Sequence, residues 1–148
     1  MACIAVVLFC FGCNQNNRTS GQVQVGEWAY VPQHVKIHPL SRFDSASNAD
    51  EETIIVVHVE FTDGNGFACR GVGELEVTIG EETNNKTTET VLLRDETINR
   101  ERFDPVTRTY RVHFSNVPKD WEKVKATAVF DGASGTMESK PHTIKNKK

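Results

Sequence analysis

From residue 34 onward, apolar and polar residues alternate in short runs separated by Gly, Pro, Asn and Asp. That spacing belongs to strands that lay one face on a core and the other towards water. Seven segments carry it, at 34–40, 53–62, 73–79, 88–94, 107–114, 123–130 and 135–144. In the second, Ile55, Val57, Val59 and Phe61 point one way, and Ile54, Val56, His58 and Glu60 the other. In the third, Leu75, Val77 and Ile79 alternate with Glu74, Glu76 and Thr78. Tyr110, Val112 and Phe114 mark the fifth, and Val124, Ala126, Ala128 and Phe130 the sixth. The fourth contains the contiguous Val91, Leu92 and Leu93, to which period two assigns no face. Pro141 places the seventh at a sheet edge, because proline donates no ladder hydrogen bond.

Turn chemistry separates these strands: Asp63-Gly64-Asn65-Gly66, Asn84-Asn85 and the run from Asp131 to Gly135. The one helix-like stretch is a single turn at 119–123 after Pro118, so the crossover helices of a parallel sheet are not expected. The pattern therefore predicts an all-β fold, a seven-stranded antiparallel sandwich of immunoglobulin-like or transthyretin-like kind.

Ahead of the sandwich, Ile4 to Phe11 is unbroken apolar sequence, followed by Gly12, Cys13 and a polar tract from Asn14. As a helix those residues rise only about 12 Å, against a hydrocarbon core of roughly 30 Å, which suits the apolar part of a signal peptide and not a membrane span. Gly12 before Cys13 resembles a bacterial lipobox, whose cysteine takes a diacylglyceryl group and becomes the mature N-terminus. Cys10 and Phe11 depart from that pattern, and no Lys or Arg precedes the apolar run. The expected organisation is a signal peptide at 1–12, a polar tether and entry segment at 13–33 containing Trp28 and Tyr30, the sandwich at 34–145, and a basic tail at 146–148. Cleavage before Cys13 removes Cys3 and Cys10, and lipidation consumes Cys13. Cys69 then stands alone, without a partner for an intrachain disulfide.

The chain has 148 residues, 38% hydrophobic and 25% charged, with a net charge of −3. That size gives one domain, and the charge supplies no basic footprint for nucleic acid. Of five histidines, His58 shares a strand face with Glu60, and with His113 these make the candidate metal ligands of a metal-handling sandwich. Two ligands at i and i+2 form half a site, and solvated histidines on a sheet face are the simpler expectation; no cofactor is predicted. Asp63-Gly64-Asn65-Gly66 is part of a calcium-loop pattern, but Phe67, Ala68 and Cys69 follow where oxygen ligands belong, so a hairpin turn is expected. Gly132-Ala133-Ser134-Gly135 is one residue short of a nucleophile elbow.

The leader, Val35-Lys36-Ile37-His38-Pro39-Leu40-Ser41, the Val57 to Asp63 strand, Gly73-Glu74-Leu75-Glu76-Val77 and the run from Arg102 to Tyr110 together resemble small, functionally uncharacterised β-sandwich lipoproteins common in planctomycete-type bacteria. The resemblance spans nearly the whole chain and implies location and fold, with no activity attached. The expectation is a non-enzymatic lipoprotein of the cell envelope, facing periplasm or exterior. Its expected partners are the membrane, through Cys13, and an envelope protein or polysaccharide.

Overall fold

In the computed structural model, residues 31–45, 53–81, 86–146 are described. The leader with Cys13, the tether with Trp28 and Tyr30, the Asn84-Asn85 turn and the last two lysines lie outside them. The described chain forms β1 (His34–Ile37), β2 (Arg42–Ser45), β3 (Thr53–Thr62), β4 (Ala68–Cys69), β5 (Gly73–Gly80), β6 (Lys86–Leu92), α1 (Glu96–Arg102), β7 (Phe103–Asp104), β8 (Thr109–Val117), β9 (Lys123–Gly132), β10 (Gly135–Glu138) and β11 (His142–Lys145).

These strands make two antiparallel sheets, as expected for an all-β sandwich. One runs β1-β3-β8-β7, with β2 and β4 also paired to β3; the other runs β10-β9-β5-β6, with β11 also paired to β9. Among the described residues the strand count is eleven, where seven were expected. Two short strands, β4 and β7, are too brief for periodicity to register, β2 begins beyond the expected segment at 34–40, and the expected strand at 135–144 is divided. The segment at 34–40 ends at Ile37, and the edge resumes as β2 with a different offset against β3. The segment at 135–144 is cut at Ser139 to Pro141, and both halves pair with β9. Proline explains both cuts, since Pro39 and Pro141 have no amide to donate.

A serine repairs each interruption. Ser41 Oγ accepts from the His58 amide at 2.9 Å and donates to the His38 carbonyl at 2.8 Å. Ser139 Oγ accepts from the Ala128 amide at 2.8 Å, while the Ser139 amide donates to the Ala128 carbonyl at 2.8 Å. Both serines are buried. Their hydroxyls stand in for the edge backbone, so the central strands β3 and β9 keep buried amides satisfied.

The helix is also a correction. Residues 119–120 form a turn closed by the Trp121 amide on the Pro118 carbonyl, whereas the helix is α1. Asp95 caps it, accepting from the amides of Thr97 and Ile98. Its buried Asn99 donates to the carbonyls of Gly71 at 2.7 Å and Leu93 at 2.6 Å, and accepts from the Tyr110 hydroxyl at 2.8 Å. The Val91 to Leu93 run resolves accordingly: Val91 faces the core, Leu92 is exposed, and Leu93 is buried beyond the strand end as the chain turns towards Asp95.

One core lies between the sheets. Ile55, Val57, Val59 and Phe61 from β3 meet Leu75, Val77 and Ile79 from β5 and the inward residues of β8 and β9. Phe61 joins the layers, its centroid 5.5 Å from Tyr110 and 4.5 Å from Phe130. Glycine makes room for Phe130: a Cβ on Gly73 would stand 2.1 Å from the Asp131 carbonyl oxygen and 2.9 Å from the ring.

Candidate functional site

The outward residues of β3 should meet solvent, yet His58 is only 4% exposed. It sits on the middle strand of its sheet, level with Arg111 of β8. His58 Nδ1 lies 2.9 Å from Thr109 Oγ1, which lies 2.8 Å from Thr107 Oγ1. Thr107 in turn lies beside the Asp104 carboxylate. Asp104 also accepts from the amides of Val106 at 2.9 Å and Thr107 at 3.4 Å, so the loop after β7 folds around its carboxylate. These hydrogen bonds, that of the Val106 amide foremost, hold Asp104 below the usual carboxylate range.

The hydroxyls of Thr107 and Thr109 can each donate or accept, so this chain fits either imidazole tautomer, with Nδ1 as the ring nitrogen it engages. The other ring nitrogen, Nε2, is buried and has no hydrogen-bond partner among the described residues. Burial, followed by the charges of Arg42 and Arg111, lowers the His58 pKa, and Asp104 opposes them weakly. His58 is therefore a neutral base held on an electropositive stretch of sheet.

The other two candidate ligands point elsewhere. Glu60 Oε2 is 3.2 Å from Lys36 Nζ and 3.7 Å from His38 Nε2, an arrangement on the β1 side of the strand. His113 is level with Val56, one diagonal step from His58, and is exposed. Partial burial and the guanidinium groups of Arg102 and Arg111 lower its pKa as well. Among the described residues, no group of three or more His, Cys, Asp or Glu side chains is placed to hold a metal ion. His58, Glu60 and His113 thus share a sheet face without converging.

Asp63 forms the expected hairpin turn. Its Oδ1 accepts from the amides of Asn65 and Phe67, both at 2.9 Å, and its side chain folds inward, not towards a cation loop. Burial pushes the Cys69 thiol up to about 11, so it stays protonated at neutral pH. Ser134 lies on the two-residue turn between β9 and β10 and donates to the Pro32 carbonyl at 2.7 Å, which ties the entry segment to the sandwich. Between β1 and the edge made of β10 and β11 runs an open cleft of about 510 Å³, lined by His34, Lys36, Lys140 and His142 among others.

Sequence reasoning found His58 but missed what surrounds it. Thr107 and Thr109 sit two apart, the spacing that puts side chains on one strand face, and Asp104-Pro105 marks a turn beside them. Those signals were present, but their relation to His58 is cross-strand. Comparison with known proteins adds no relative: no protein-family model, curated protein or solved structure matches the chain.

Proposed function

We propose that the protein is an exported lipoprotein of the bacterial cell envelope, anchored through Cys13. Its sandwich, a binding module and not a catalyst, meets an envelope protein or polysaccharide partner. The observation that carries this reading is the abrupt change at Gly12-Cys13, where apolar sequence stops and a polar tract begins. About twenty residues from Cys13 to β1 reach at most roughly 70 Å when extended, enough to lift the domain clear of a bilayer surface. Among the described residues, no helix is long and apolar enough to cross a membrane. The binding reading draws support from His58, whose Nε2 is buried and not open to solvent.

The finer fold reading is immunoglobulin-like. If each divided edge counts as one position, the first sheet runs first edge, β3, β8, and the second runs last edge, β9, β5, β6. This order supports a Greek-key sandwich with the first and last strands on neighbouring edges.

Intact mass and N-terminal peptide mapping of protein from its native cells test the reading. The expected product is a lipid-modified chain beginning at Cys13 in the membrane fraction, with Cys13→Ser moving it to the soluble fraction. An unprocessed chain beginning at Met1 and recovered as soluble protein overturns it.

A further inference from the structure

The outer face of the second sheet sorts its charges by row. At one end, strand register sets Glu74 beside Asp131 in one row and Glu76 in the row that holds Glu138. The next row is neutral: Thr88, Thr78 and Thr127 lie side by side, with the first two hydroxyls 2.8 Å apart. Beyond it the sign reverses, with Lys86 and Lys125 flanking Gly80, followed by Lys123 beside Lys145. The four acids and four lysines are exposed. Arg94, 3.9 Å from Glu74, is a cation at the acidic end, and it leaves Glu76, Asp131 and Glu138 facing outward.

A surface that is acidic at one end, basic at the other and neutral between is complementary to itself. We propose that this face binds the same face of a second copy of the chain, about a two-fold axis that runs across the strands along the threonine row. Such an axis exchanges rows equally distant from it. Asp131 then stands opposite Lys123 of the other copy. Glu76 stands opposite Gly80, whose missing side chain leaves space between two lysines. A two-fold axis along the strands would set acid on acid, and like charges select against it. The chosen axis also keeps the facing strands nearly aligned, as packed sheets prefer.

The face is small. Four strand positions about 4.8 Å apart, over roughly eight residues, cover roughly 500 Å² per copy, below the roughly 800 Å² per partner of a stable complex. The contact is therefore weak and reversible, and it is sensitive to salt because its charges lie at the surface. It requires the sandwich alone and not the lipid, so its failure leaves the envelope reading in place.

Sedimentation velocity of the full chain, kept in detergent with micelles in molar excess, tests it. The sedimentation coefficient should rise with protein concentration up to about 1 mM in about 20 mM salt, and the rise should disappear in about 500 mM salt. Glu76→Lys with Asp131→Lys should be monomeric, as should Lys86→Glu with Lys123→Glu, each with the far-ultraviolet spectrum of the parent. An equimolar mixture of the two variants should associate again, because one face is now predominantly basic and the other predominantly acidic. A parent that stays monomeric throughout, single variants that associate as the parent does, or a mixture that fails to associate overturns the proposal.

Discussion

His58 shows how a single side chain acquires chemistry from groups far away in sequence. Its Nδ1 meets Thr109, and burial, followed by the charges of Arg42 and Arg111, resists a second proton. Folding therefore holds the His58 pKa below the ordinary 6.5. Above that value both folded and unfolded chains are neutral at this site, and it adds no pH dependence. As pH falls below 6.5, the unfolded chain takes up a proton that the folded chain refuses, and stability drops until the folded pKa is reached. Urea unfolding between pH 8 and pH 5 should show this loss. In His58→Gln the slope should be shallower by up to about 1.4 kcal/mol per pH unit. His113 shifts in the same direction but is exposed, so His113→Gln should flatten the slope less. An unchanged slope in His58→Gln would sink the account. Histidine with Glu60 on one face was legible from spacing two; the threonine chain was not, because it forms only when β8 lies beside β3.

At the scale of elements, period-two alternation located every long strand, and the β3 and β5 boundaries agree with it closely. It does not show where an edge breaks and recovers. Pro39 and Pro141 announce the breaks, but Ser41 and Ser139 look like ordinary loop serines until their hydroxyls meet buried amides. Ser139→Ala should leave the Ala128 amide unsatisfied inside the sheet and cost about 1 to 3 kcal/mol, with Ser41→Ala comparable at His58. Ser134→Ala, at an exposed turn, should cost less. Denaturant midpoints of the three variants compare them directly, and equal, small effects would mean that water replaces the buried hydroxyls. The helix escaped notice for a related reason. One apolar contact residue, Ile98, and a polar anchor, Asn99, give no amphipathic repeat, so α1 is held by its cap and by hydrogen bonds to Gly71, Leu93 and Tyr110.

For the whole molecule, the two sheets have one core between them, and Phe130 ties them together against Phe61. Neither sheet keeps an apolar face covered without the other. Phe130→Ala should therefore destabilise by about 3 to 5 kcal/mol, and both sheets should still unfold together. Circular dichroism and tryptophan fluorescence should report the same lowered urea midpoint. Two separated transitions would show that the layers are independently stable. Charge belongs to this scale too: a net −3 suggests nothing about surfaces, whereas the folded second sheet divides its acids and lysines into opposed ends.

Alternation and turn residues determined by themselves that this chain makes strands, which faces are apolar and, through Pro141, that the last strand lies at an edge. These are local consequences of backbone geometry and side-chain burial. Tertiary structure alone decided that His58 is buried and neutral, that two serines complete broken edges, and that charges twenty or more residues apart gather in rows. Each depends on register between strands distant in sequence, and register is set by packing the shared core, not by any property of the segment itself.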